Sequence, residues 1–139
     1  MRRLQGEHGS VTGMLIIVLF ISLGFGGLAV DGTRLFLARR DLQALADSAA
    51  LAAASSLDEE QFRATSGDQV RLEPQIARFA AVAVVVTSPW PSDGRGSVEV
   101  VGNRVTVHLE RPVRLTFLGI LGLGSQVIGA KATANPAVG

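Results

Sequence analysis

VTGMLIIVLFISLGFGGLAV, residues 11–30, is a run of twenty side chains without one charge. At about 1.5 Å of rise per helical residue, such a run covers roughly the 30 Å hydrocarbon core of a bilayer. Its centre, Leu15, Ile16, Ile17, Val18, Leu19, Phe20 and Ile21, would lie where lipid is driest, and each CH₂ transferred there contributes about 0.8 kcal/mol. Gly24, Gly26 and Gly27 near the far end would weaken a helix in water, whereas in lipid small residues let a second helix approach. The sequence therefore predicts a transmembrane helix over 11–30, preceded by a short segment, 1–10.

Arg2 and Arg3 ahead of an apolar run also suit a secretory signal peptide. A signal's apolar region is shorter, about 7 to 15 residues, and its small-x-small cleavage site follows at once. Here Asp31, Arg34, Arg39 and Arg40 follow instead, and the nearest Ala-x-Ala is Ala44 to Ala46, so the run reads as an uncleaved anchor. Charge does not orient it: Arg2 and Arg3 with the amino terminus nearly balance Arg34, Arg39 and Arg40 under the positive-inside rule.

Of the 139 residues, those beyond the anchor suffice for one small domain. The formal net charge is +1, with 13 Lys and Arg against 12 Asp and Glu spread along the chain. No basic stripe exists to follow a phosphate backbone, so nucleic acid is not an expected partner. The absence of Cys removes disulfides, thiol nucleophiles and thiolate metal sites together, and packing alone must hold the domain.

Beyond the anchor, Leu28, Leu35, Leu42 and Ala49 recur every seventh residue, with Ala38, Leu45 and Ala52 at the three-residue offset. That is an a/d seam suited to helix-to-helix assembly, and equally the stripe of an amphipathic helix resting on its own domain. With Ser10 as an N-cap and the helix continuing outside the membrane over 31–57, the rod would measure about 70 Å. A polar linker is expected at 58–72, where Asp58, Glu59 and Glu60 lack EF-hand spacing. The remaining segment, 73–139, reads as a small extracytoplasmic domain.

Glu73-Pro74 opens a second helix with Pro in an allowed first-turn position, and Ile76, Phe79, Ala80 and Ala83 mark its expected buried face. Val84, Val85 and Val86 then lean towards strand, and Pro89 to Gly96 form a loop around Trp90. Val98 and Val100 alternate, Gly102-Asn103 supplies a tight turn, and Val105, Val107 and Leu109 alternate on the return, with Pro112 as the expected end of the hairpin. Leu115 to Leu123 is intensely apolar but too short to span a bilayer; it reads as a buried helical turn or a membrane-surface contact. Gln126 to Thr133 alternates as a third strand. The expected fold class is α+β: a long N-terminal transmembrane helix extended outside the bilayer, plus a second helix and about three antiparallel strands.

Gly27-Leu28-Ala29-Val30-Asp31, Arg34-Leu35, Leu37-Ala38-Arg39-Arg40, Leu42-Gln43 and the run Ala46 to Ala54, preceded by Glu7-His8-Gly9-Ser10-Val11 and the uncharged stretch, resemble the amino-terminal part of TadG-like and TadE-like proteins. These belong to the tight-adherence (Tad, or Flp) pilus assembly machinery, relatives of type IV pili. The closing Ala130-Lys131-Ala132-Thr133-Ala134 is similar too. The resemblance implies a single-pass envelope protein with its amino end in the cytoplasm and its carboxyl domain outside. The implied partners are the lipid bilayer, other pilus or secretion-system membrane subunits, and a second copy of the chain in a homo-oligomer. Longer members carry a von Willebrand type A domain with a metal site, for which 139 residues leave no room, so no metal role carries over. Prepilin-like relatives are cut after a Gly and need a Glu five residues on; counted from Gly9, that position is Met14.

His8 and His108 are the two histidines and neither has a companion, whereas a metal site needs three or four convergent ligands. No Gly-x-Ser-x-Gly elbow or Walker sequence occurs, so neither catalysis nor a cofactor is expected. Asp31 and Arg34 share a helical side at the edge of the apolar run, as an interfacial pair, as plain interfacial charges, or as contacts to a neighbouring subunit's helix. The expected helix-packing residues are Gly24, Gly27, Leu28, Asp31, Arg34, Leu35, Leu42, Leu45 and Ala49. They suit an accessory structural subunit of the pilus; a minor pilin or pseudopilin, or a surface-displayed binding module using Trp90, are the alternatives.

Overall fold

The computed structural model describes residues 8–56, 73–120 and 122–136. Arg2, Arg3 and the expected linker at 58–72 lie outside the described residues. Helix α1 runs unbroken from His8 to Ala54, 47 residues, because no Pro interrupts it and Leu, Ala and Arg dominate its outer half. It already includes Ser10, so the helix begins before the cap expected from sequence. Helix α2 covers Pro74–Thr87, with Pro74 in the first turn, where its missing N–H needs no partner. Three strands follow, β1 (Arg95–Val101), β2 (Arg104–Arg114) and β3 (Ser125–Ala134), with a short helical turn, α3 (Phe117–Ile120), between the last two.

The sheet is antiparallel in the order β1-β2-β3, with Val98 opposite Val107 and Leu109 opposite Ala130. Gly102 takes φ +58° at the hairpin turn, a left-handed conformation that costs glycine nothing. Val105, Val107 and Leu109 of β2 and Ala130 and Ala132 of β3 point to one face, which is covered by Leu42, Ala46, Ala49, Ala50 and Ala53 of α1 and by Ala77 and Ala81 of α2. The other face carries Thr106, His108 and Thr133. The result is the expected α+β arrangement, two helices on one side of a three-stranded sheet.

Three local expectations change. Val84, Val85 and Val86 stay helical to the end of α2, since Val84 and Val85 pack on the core and tertiary contact outweighs the weak strand preference of β-branched side chains. The buried face of α2 is Ala77 and Ala81 rather than Ile76 and Phe79, which are 56% and 76% exposed, with Ala83 also exposed. Alanine wins there because two helices and a sheet meet at close range, and a larger side chain would hold them apart. Pro112 does not end β2, which continues to Arg114. Pairing with β1 stops at Glu110, so Pro112 lies where β2 has a neighbour on one side only and a missing N–H is tolerated.

Candidate functional site

The β2–β3 ribbon runs down α1 towards its apolar end. Gln43 Nε2 donates to the Lys131 carbonyl at 3.1 Å, and a turn and a half lower Arg111 Nη2 donates to the Ala38 carbonyl at 3.1 Å. Lower still, the connection between β2 and β3 meets α1 at Asp31. This carboxylate is wholly buried. Thr116 N–H donates to its Oδ1 at 2.9 Å, and the Phe117 and Leu118 N–H groups donate to its Oδ2, both at 2.8 Å. Asp31 thus caps the first turn of α3 from another helix, satisfying donors that a short helix leaves unpaired. Arg34 Nη1 donates to Thr116 Oγ1 beside it.

The Leu118 N–H bond holds the Asp31 carboxyl below its usual pKa; burial opposes this, and the Thr116 and Phe117 N–H groups and nearby Arg34 reinforce it. One turn below, the Phe117 ring occupies the place where a side chain on Gly27 would project. Phe117, Leu118 and Ile120 then form one wall of an apolar groove of about 480 Å³, with Phe20, Leu23, Gly24 and Leu28 of α1 as the other.

The structure divides the residues expected to pack against partner helices. Leu42 and Ala49 belong to the chain's own core, and Leu45 is half-buried against it, so the outer part of the seam rests on the domain. Gly27 is covered by Phe117, and Asp31 accepts from the start of α3 with Arg34 nearby. Arg34 is exposed apart from its bond to Thr116, Leu35 is half-buried, and Gly24 and Leu28 remain accessible along the groove. Sequence reading missed Thr116, Phe117 and Leu118 as Asp31's partners. The available signal was Asp31 itself, a carboxylate at the edge of an uncharged run that needs donors from somewhere.

A second cleft, about 350 Å³, lies between α1 and the α2–β1 loop and includes Asp41, Leu45, Ser48, Trp90 and Arg111. Trp90 is half-buried against the core, and its indole covers Gly94, so it packs rather than projects. Arg111 Nε is buried there without a hydrogen-bond partner. His108 Nδ1 stands 3.9 Å from Glu110 Oε1 on the polar face of the sheet. Among the described residues no three His, Asp or Glu converge where they could hold a metal ion.

The inner half of α1 is the one helix among the described residues long and apolar enough to cross a membrane, and its most apolar stretch is only 6% buried, unlike the core helix of a globular protein. No curated protein and no solved structure matches the chain. Residues 9–56, the long helix from the uncharged run to the end of its Ala-rich half, match the model of the Tad family described as "Putative Flp pilus-assembly TadE/G-like", and over that segment the chain is similar to this family.

Proposed function

We propose that this chain is a membrane-anchored structural subunit of a Tad (Flp) pilus or secretion apparatus, with residues 11–30 inserted in the membrane and the sheet domain outside the cytoplasm. Its role is to assemble rather than to catalyse. The observation that supports this reading most directly is that the family match coincides with a helix whose inner half exposes Leu, Ile, Phe and Val on every side. In water that surface would cost about 25 cal/mol per Å². Lipid removes the cost.

Assembly uses the face of α1 that its own domain leaves free. Ser22, Gly26, Ala29 and Thr33 fall on the side opposite the groove and are all exposed. Nothing lies within 4 Å of the place a Gly26 side chain would take. Small residues at this spacing let a second helix approach closely in a bilayer.

The anchor is tested by fractionation: the full-length chain is expected to resist extraction from membranes by alkaline carbonate and to need detergent. A monodisperse, detergent-free soluble protein would end the reading. Gly26→Leu tests the packing face, because it adds volume where this chain has no contact of its own. The expected result is a normally folded protein that no longer co-purifies with its pilus-assembly partners. The mass of the mature amino terminus separates an accessory subunit from a minor pilin: the former leaves Gly9-Ser10 intact, and cleavage there would favour the latter.

A further inference from the structure

The connection between β2 and β3 has a feature that the anchor alone does not require. Residues 115–130 carry no charge, although Arg114 and Lys131 flank them. Ile120 is 81% exposed and Leu123 is also exposed, at the tip of a turn that reaches down α1 past Asp31. Phe117 sits on Gly27, about 6 Å nearer the centre of the uncharged run than Asp31, and the groove it helps to form extends to Phe20, about 16 Å nearer, at 1.5 Å per residue.

We propose that this turn is a second membrane contact: Phe117, Ile120 and Leu123 enter the leaflet from which α1 emerges, and an acyl chain fills the groove between α3 and α1. The inference rests on residues 11–30 spanning a bilayer, and the geometry then leaves the turn little choice. Its neighbours on α1, Phe20 to Leu28, belong to the very stretch that lies in hydrocarbon.

Immersion also requires that backbone donors find partners inside the protein, since lipid offers none. Here they do. Asp31 takes the Thr116, Phe117 and Leu118 N–H groups. The Leu115 N–H donates to the Gly124 carbonyl at 3.0 Å, Gly122 to Gly119 at 3.1 Å, and Leu123 to Leu118 at 2.9 Å. Exposed Arg34 and Arg114 stand at the root of the turn, at the level where cationic side chains meet lipid headgroups. Two contacts, one spanning and one dipping, would fix the sheet domain at a set tilt to the membrane instead of leaving it to swivel on a single rod.

The chain has no Cys, so single reporters can be placed without background. Ile120→Cys, Leu123→Cys, Ile17→Cys in the span and Val101→Cys at the far end of the sheet, each at an exposed side chain, are labelled with a polarity-sensitive fluorophore. The full-length protein is then placed in phosphatidylcholine–phosphatidylglycerol vesicles. Expected is loss of fluorescence at Ile17, Ile120 and Leu123 to nitroxides on the acyl chains, with little loss to iodide in the water, and the reverse at Val101. Acyl-chain quenching at Ile17 with iodide quenching at Ile120 and Leu123 would overturn the inference and leave the anchor standing. Iodide quenching at Ile17 as well would overturn both.

Discussion

The two halves of α1 use apolar residues in opposite ways. In the outer half, the buried positions are nearly all alanine, Ala46, Ala49, Ala50 and Ala53, with Leu42 as the one large side chain. In the inner half, Leu15, Ile17, Leu19 and Phe20 are large and exposed. Hydrophobicity along this helix therefore does not locate the core. Size does: alanine marks where the chain's own sheet and α2 come close, and the large side chains of the inner half stay mostly exposed among the described residues.

Truncating each half separates the two uses. Leu42 is 1% exposed and Leu19 65% exposed. Leu42→Ala is expected to lower the unfolding free energy of the domain in detergent by about 2 to 5 kcal/mol, the usual range for a buried leucine, and Leu19→Ala by less than about 0.5 kcal/mol. Equal losses in denaturant titrations would break the comparison. Asp31→Ala belongs with the large effects, because three N–H groups at the start of α3 lose their acceptor together. The carboxyl is held below its ordinary pKa in the folded chain. Its contribution is therefore complete above the unfolded value, about 3.9, and disappears as pH falls through the lower folded value. Asp31→Asn should flatten that acid-side slope in stability measured against pH, and an unchanged slope would assign it to other carboxylates.

Enlarging a residue sharpens the same point from the other direction. Ala49→Leu adds volume where α1 meets the sheet and is expected to cost about 1 to 3 kcal/mol, although it raises helix hydrophobicity. Ala29→Leu, on the open face of the inner half, should leave the domain's unfolding midpoint where it is.

How far the sequence carried depended on how far apart the interacting residues are. The β1–β2 hairpin was legible because its turn, Gly102-Asn103, and its alternating valines lie within a few residues of one another. The length of α1 was legible for the same reason, since its start, its uncharged run and its Ala-rich half are contiguous. Asp31's partners were not, because Thr116 lies 85 residues away and its backbone N–H has no sequence signature. The heptad seam was readable as a stripe but not as to what it touches: α1's own sheet and a partner helix ask for the same spacing. The buried side of α2 misled for a physical reason, as Ile76 and Phe79 outweigh Ala77 and Ala81 in any hydrophobic count yet are too large for a close helix crossing.

The smallest expected effect on folding tests where one half ends and the other begins. Leu28 continues the seven-residue repeat of Leu35 and Leu42, yet it lies within the uncharged run and is 52% exposed, on the wall of the groove below α3. If the repeat governs, Leu28→Ala should weaken the domain as Leu42→Ala does. If surroundings govern, as the structure implies, the change in unfolding free energy stays within about 0.5 kcal/mol. On the proposed second membrane contact, the loss should appear instead as weaker retention of the sheet domain against the membrane surface. A destabilised domain in Leu28→Ala would move the boundary below Gly27 and make the helix one continuous buttress. An unaffected one keeps it at Asp31, where a single carboxylate joins the part of the helix that holds the fold to the part proposed to anchor the molecule.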